Sequence, residues 1–346
     1  MSKPLLALAL SGGVDSAVAG LLLLRRGFAL EGHHFLFQPG GEESPALTSA
    51  KEVARALGIP LVVQDLSGAF SKIRASLVSS YLHGRTPNPC VLCNRLVKTG
   101  VLLERALARG ARGLATGHYV RVNREEGRLF KGAFLPRDQS YFLSWVPRER
   151  LRFLYCPLGE FSKEEVREMA RREGWSWLLK RKESRELCFV SGTYRDILVS
   201  AGKGMGKPGE VIDLQGRVLG RHEGVGRFTV GQRKGLPPGD KPRYVISLDP
   251  GQARVVVGDK EDLACREALL AGLNLFRDVP EGGRLQGRVK VRSTSPGVPA
   301  TLERLPSGRA LVRFHEPEWA LAPGQAAVLY EGEEVLASGI LRKRLA

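Results

Sequence analysis

The chain has 346 residues, with 53 Lys and Arg against 36 Asp and Glu, for a formal charge of +17. That length exceeds one ordinary domain and implies two or three, each able to bury a core. The charge excess favours a polyanion such as nucleic acid over a small anionic partner, and five cysteines are too few for a disulfide framework. No apolar run is long enough to span a membrane, and the N-terminus lacks a basic head and cleavage site, so a cytoplasmic location without membrane partners is expected.

Leu5 to Leu10 reads as a buried parallel strand, and Ala17 to Arg26 as a helix ended by Gly27. Between them stands Ser11-Gly12-Gly13-Val14-Asp15-Ser16. A glycine-rich turn opening a helix leaves several backbone N–H groups aimed one way, which suits a phosphate or pyrophosphate. Gly12 and Gly13 allow close backbone approach, and the serine hydroxyls add donors. It is not a Walker A loop, since no Gly-Lys-Ser/Thr follows and no neighbouring lysine reaches toward terminal phosphates. The pattern SGGxDS resembles the PP-loop of ATP pyrophosphatases, which cleave ATP between the α and β phosphates and adenylate a substrate.

Further along come a strand-like Ala29 to Phe37, a loop around Pro39-Gly40-Gly41, a helical Ala46 to Leu57 and the β-branched Leu61-Val62-Val63. Helical stretches over Phe70 to Leu82 and Arg95 to Gly110 precede a strand at Gly113 to Thr116. This alternation predicts a doubly wound parallel α/β sheet, with ligands at the carboxyl ends of its strands, where the glycine turn also lies. Lys163 to Gly174 reads as an amphipathic helix. Beyond about residue 200 the texture turns to Gly, Pro and short alternating strands, ending in a small antiparallel β-barrel or sandwich over the last eighty residues. The expected domains are 1–200 (catalytic), 201–262 (small, β-rich) and 263–346 (β-barrel).

Cys90 and Cys93 lie in GRTPNPCVLCNR, where two prolines force an extended approach and a helix is predicted to begin near Cys90. A cysteine at a helix N-terminus has its thiolate favoured, and Cys188 sits in the cationic stretch Lys182 to Val190. Cys156 and Cys265 read as structural thiols. Two readings fit the other three: a nucleophile and resolving pair working through a disulfide, or three thiolates holding an iron–sulfur cluster with one iron open. Zinc fits less well, because there is no second CxxC to close a site.

Several motifs, in order, carry one resemblance: SGGVDS, GRTPNPCVLCN, Ala115 to Tyr119 as ATGHY, Asp138 to Leu143 as DQSYFL, Leu187-Cys188-Phe189, Gly206 to Gly209 as GKPG, Thr229 to Gly235 as TVGQRKG, and Pro323-Gly324-Gln325. Nearly end to end the chain resembles the tRNA-specific 2-thiouridylases of the MnmA type, which replace the 2-oxygen of the wobble uridine with sulfur. The resemblance implies that Ala9, Leu10, Ser11, Gly12, Gly13, Val14, Asp15 and Ser16 bind ATP, with Phe35 flanking the adenine and Gly117 touching the nucleotide. It implies Cys93 as the first catalytic cysteine and Cys188 as the persulfide carrier. Asn88, Pro89 and Cys90 would lie against the target base, and His118, Arg137, Asp138, Gln139, Arg292, Ser293 and Gln325 would contact the tRNA. Implied cofactors are ATP, Mg²⁺ and, if Cys90, Cys93 and Cys188 act together, a [4Fe-4S] cluster. Implied partners are the tRNAs for Lys, Glu and Gln, and a cysteine desulfurase or sulfur-relay protein.

The chain departs from the family pattern at Cys90, where many members carry Asp; at Phe35, often Met; and at Ser293, commonly aromatic. Arg137 replaces a usual Lys, and Leu36 to Glu43 replaces an acidic stretch. A third thiol at position 90 favours the cluster over a carboxylate-based mechanism. Two other classes compete: a PP-loop ligase acting on a small molecule, which would exchange ATP and pyrophosphate without RNA, and a non-catalytic iron–sulfur or RNA-binding protein, which would hydrolyse no ATP.

Overall fold

A computed structural model describes residues 3–38, 44–181, 196, 198, 204–239 and 241–345. It divides into two compact units, one of Met1–Lys72, Cys90–Arg185 and Glu333–Val335, the other of Ile73–Pro89, Glu186–Gly332 and Leu336–Ala346.

The first unit is built on five parallel strands. β1 (Leu5–Ala9), β2 (Ala29–Leu36), β3 (Leu61–Asp65) and β4 (Leu114–Ala115) are followed by a hairpin, β5 (Val120–Asn123) and β6 (Arg128–Lys131), and then by β7 (Leu154–Tyr155). The sheet order is β3-β2-β1-β4-β7, every pairing parallel. The order reverses at β1, so the crevice beyond the ends of β1 and β4 is the topological switch point. Leu6, Leu8 and Leu10 are wholly buried and pack with Val18, Leu21 and Leu23 of α1 (Val14–Arg25) and with Val53 and Leu57 of α2 (Pro45–Leu57). Strands buried on both faces need continuous apolar runs, which is how β1 reads. α2 starts on Pro45 with Ser44 capping the Leu47 N–H at 3.2 Å, and stops at Gly58, whose φ of 64° few other residues adopt.

α3 (Ser67–Leu82) matches the expected helix, but the stretch after it does not form one continuous helix. α4 (Pro89–Cys93) passes into a π-helical segment, Asn94–Leu102, and then α5 (Leu103–Ala108), with Gly100 at non-helical φ −92° and ψ −109°.

The second unit contains two β structures. β8 (Gly209–Ile212), β9 (Val218–His222), β10 (Tyr244–Asp249) and β11 (Arg254–Gly258) form a sheet of order β10-β11-β8-β9 over a core of Val211, Phe228, Val245, Val255 and Val257. β12 (Ala264–Leu275), β13 (Arg284–Lys290), β14 (Val298–Leu305), β15 (Arg309–Trp319), β16 (Ala326–Glu331) and β17 (Glu334–Leu345) follow. They run β12-β15-β14-β13-β16-β17, and antiparallel pairing of β12 with β17 closes them into a barrel. The parallel sheet, the small β domain and the closed barrel agree with the expected fold class. Among the described residues no helix is long and apolar enough to cross a membrane.

Candidate active site

The SGGVDS turn occupies the switch point. The N-terminus of α1 carries Gly13 as its cap and has no side-chain cap, so its first N–H groups point toward the crevice mouth in the manner of an anion site. Gly12 has φ 81°, and a Cβ there would stand 2.6 Å from Ser49 Cβ; the Ser49 hydroxyl donates to the Gly12 carbonyl at 2.6 Å. α2 therefore fastens the turn from behind. Gly13 is different: its φ is −88°, and a Cβ would meet only Ser11 Oγ, at 3.5 Å. No neighbouring protein atom therefore requires glycine at this position. Ser16 Oγ donates to the Gly13 carbonyl at 2.9 Å and lies 3.2 Å from Ser11 Oγ. His34, buried on β2, donates its Nδ1–H to the Leu10 carbonyl at 2.9 Å and so fixes the end of β1.

The loop after β4 closes the other wall. A Cβ on Gly117 would come within 2.8 Å of the Asp15 carbonyl carbon, so only glycine lets ATGHY lie against the first turn of α1. Asp15 accepts from the Tyr119 hydroxyl at 2.7 Å and from the Lys163 ammonium at 2.7 and 2.9 Å. Lys98 Nζ lies 3.2 Å from His118 Nε2, and Thr116 Oγ1 lies 2.8 Å from His118 Nδ1. An ammonium only donates, so Nε2 accepts and Nδ1–H donates to Thr116. Burial, and then the charge of Lys98, holds the His118 pKa well below the ordinary histidine value, so the ring is a neutral, single tautomer. Thr116 Oγ1 also lies 3.6 Å from Cys156 Sγ, and burial pushes the Cys156 thiol up to about 12.

The CxxC segment is positioned by the π-helical turn that follows it. Cys90 is half-buried and Cys93 buried; three residues apart on α4, they share a helix face. Thr99 donates to the Asn94 carbonyl at 2.7 Å, and Arg150 to the Arg95 carbonyl at 3.2 Å, holding the carbonyls that the wider turn leaves available. Arg95 donates to the Trp145 carbonyl at 2.7 Å with its guanidinium carbon 4.4 Å from that ring's centroid. Asn94 donates to the Phe142 carbonyl at 3.0 Å, while its buried Oδ1 accepts nothing. Cys188 lies outside the described residues, and among those described no group of three or more His, Cys, Asp or Glu is arranged to hold a metal ion.

Comparison with known proteins fits this arrangement. Residues 5–192 match the family profile described as tRNA methyl transferase HUP domain, 202–259 the tRNA methyl transferase PRC-barrel domain, and 266–341 the aminomethyltransferase beta-barrel domain. Over 96% of its length the chain is 40% identical to the tRNA-specific 2-thiouridylase MnmA of Moorella thermoacetica, covering 98% of that protein. It is 43% identical to the MnmA of Acidithiobacillus ferrooxidans, with 96% of each chain covered. The chain belongs to the tRNA-specific 2-thiouridylase family.

The other motifs of the thiouridylase pattern fall as follows. Phe35 is buried in an aromatic cluster, its centroid 5.3 Å from Phe37 and 6.2 Å from Phe70. Gln139 and Tyr119 exchange bonds, Gln139 Oε1 accepting from the Tyr119 N–H at 3.0 Å. Asp138 accepts from the Gly132 and Ser140 N–H groups at 3.1 and 2.9 Å, so both side chains brace their loop, while Arg137 is exposed. Asn88, Pro89 and Ser293 are half-buried. Arg292 donates to the carbonyls of Val230 at 3.3 Å and Ala320 at 3.0 Å. Gln325 donates to the Thr86 carbonyl at 2.9 Å, and the Thr86 N–H to the Pro323 carbonyl at 2.7 Å. Thr86 also bonds Thr229 at 3.2 Å, so three thiouridylase motifs distant in sequence meet within the second unit. Lys163, Ser49 and Lys98 escaped the sequence reading; only Lys163 left a signal, standing just after the helix-capping Ser162 of an S-x-x-E box.

Proposed function

We propose that this chain catalyses ATP-dependent 2-thiolation of the wobble uridine of tRNA. The observation that carries the reading is the convergence of SGGVDS and ATGHY at the switch point, in a chain related from end to end to proteins named for that activity. Ala9 to Ser16 and Gly117 bind ATP, and Phe35 lies at the adenine. The C2 oxygen attacks the α-phosphorus, pyrophosphate leaves, and backbone N–H groups of the turn offset its charge. A sulfur nucleophile then adds at C2, and AMP departs with the oxygen. Mg²⁺ would arrive on the nucleotide phosphates, with few protein ligands of its own, and offset part of their charge.

Cys188 carries the sulfur as a persulfide. The Cys93 thiolate attacks Cys188 Sγ, the Cys188 S–S bond breaks, and the outer sulfur leaves at the sulfide level on C2 or as hydrosulfide. The resulting Cys93–Cys188 disulfide is reopened by a thiol reductant before the next turnover. Cys90 and Cys93 share a helix face, which also suits two ligands of a [4Fe-4S] cluster completed by Cys188. When bound, such a cluster supplies an open iron for hydrosulfide. The substrates are the tRNAs for Lys, Glu and Gln, gripped through Asn88, Pro89, His118, Arg137, Asp138, Gln139, Arg292, Ser293 and Gln325; the sulfur comes from a cysteine desulfurase or relay protein in the cytoplasm. The domains divide near residues 200 and 262, a reading supported by the gaps between the three matched profiles. Methyl transfer, which the profile descriptions mention, leaves an ATP-cleaving turn without purpose.

The test is thiolation of unmodified tRNA by anaerobically purified protein, with ATP and either sulfide or a desulfurase, alongside an absorption spectrum and iron count. AMP and pyrophosphate formed in step with 2-thiouridine support the reading. Pyrophosphate exchange that needs no RNA would replace it with a small-molecule ligase.

A further inference from the structure

The turn that binds the phosphates contains a carboxylate of its own. Asp15 stands in the first turn of α1, at the end of the helix where pyrophosphate would rest. Left as a bare charge it would repel the ligand that the turn attracts. A P-loop solves the charge problem with a lysine inside its own motif, and SGGVDS has none.

Lys163 lies 148 residues away and is 3% exposed. It occupies the first position of the helix Lys163–Arg172, whose capping box is formed by Ser162 and Glu165. A cation at that end opposes the helix dipole, so the position is unfavourable unless a carboxylate faces it. Asp15 does, with both oxygens on the ammonium, and the Tyr119 hydroxyl shares Oδ1. Because the ammonium is enclosed, it does not present itself to a ligand; its charge is delivered through Asp15.

We propose that Lys163 is the positioning residue and counter-ion of the pyrophosphate turn, neutralising Asp15 so that the backbone N–H groups of α1 can accept a polyanion. Tyr119 sets the carboxylate's rotation, and Gly117 lets the Tyr119 loop come near enough to do so. This rests on the reading of SGGVDS as the ATP site.

The test measures binding of α,β-methylene-ATP, which cannot be cleaved at the α–β bond, by calorimetry, with melting temperature recorded in parallel. Lys163→Met should weaken binding about 10- to 100-fold. Asp15→Asn/Lys163→Met, which removes both charges, should bind within about threefold of Asp15→Asn alone. In turnover, Lys163→Met should raise the KM for ATP and leave the KM for tRNA in place. A merely structural lysine would lower the melting temperature without this charge-dependent rescue. Should Lys163→Met not fold, the double variant, isosteric and uncharged, still makes the comparison with Asp15→Asn. Wild-type affinity in Lys163→Met, or a double variant far weaker than Asp15→Asn, overturns the inference. A wild-type protein that binds no analogue overturns the ATP reading itself, and this inference with it.

Discussion

Gln325 donates its side-chain amide to the backbone carbonyl of Thr86 at 2.9 Å, across 239 positions of sequence. The Pro323 carbonyl takes the Thr86 N–H, so one turn holds both backbone groups of the residue that leads into Pro87-Asn88-Pro89 and the CxxC helix. Gln325→Ala strands the Thr86 carbonyl and should cost about 1 kcal/mol, read as a melting temperature lower by a few degrees. The kcat/KM for tRNA should fall while affinity for α,β-methylene-ATP stays unchanged. Unaltered tRNA kinetics would show that the Thr86 turn acts without this fastening.

The two glycines of the turn should separate cleanly. Gly12→Ala meets Ser49 at 2.6 Å with φ at 81°, and should destabilise the fold by at least about 2 kcal/mol. Gly13→Ala finds its nearest neighbour at 3.5 Å and should shift stability by less than about 1 kcal/mol. On the proposed ATP site its methyl group would meet the incoming phosphate, so the KM for ATP should rise. Denaturant melts and ATP kinetics on both variants check the pair.

Cys93→Ser and Cys188→Ser should each abolish 2-thiouridine formation, since both sulfur routes use them. Cys90 tells the routes apart. Full activity of Cys90→Ser without bound iron would sink the cluster route, whereas loss of iron and activity together would favour it. Iron counts and nucleoside analysis of the product tRNA give the readout.

Acid should weaken the fold through imidazoles whose packing holds off their charged form. Burial lowers the folded-state pKa of His118, and likewise of His33 and His34, below the ordinary value of 6.5. As pH falls through 6.5, the unfolded chain takes up protons that the folded chain refuses, so stability drops on the acid side and is recovered above it. Melting curves from pH 8 to 5 should show this, and His118→Gln should flatten part of the slope. By NMR the His118 ring should titrate well below an exposed histidine.

Most of the first unit was legible because its physics is local. The apolar run of β1, the glycine turn and the helical stretch Ala46 to Leu57 within α2 each rest on interactions within a few residues. β12 was not legible. Its sequence, ACREALLAGLNL, favours a helix, yet it pairs with β15 and β17 over 12 residues. A bulge between Cys265 and Glu267 resets its alternation so that Ala268 and Leu270 enter the barrel core, and burial overrides propensity. The hairpin of β5 and β6 was missed because its strands have four residues each. The π-helical break after Cys93 was read as plain helix, since nothing in NRLVKTGVL announces a wider turn. At the site, SGGVDS, ATGHY and CxxC stood out as motifs. Lys163 did not, because a counter-ion 148 residues away becomes visible only when the helices pack.

The sulfur atoms outside the site have a practical consequence for labelling. Cys156 holds its proton up to about pH 12, and Cys265, 5% exposed, gives its S–H to the carbonyls of Glu267 and Leu345 at 3.0 Å. Neither is disposed to react with a maleimide at neutral pH, because alkylation needs an accessible thiolate. The native chain therefore serves as its own cysteine-light background. Labelling of the half-buried Cys90 can be followed by mass spectrometry without first engineering those two spectator thiols away.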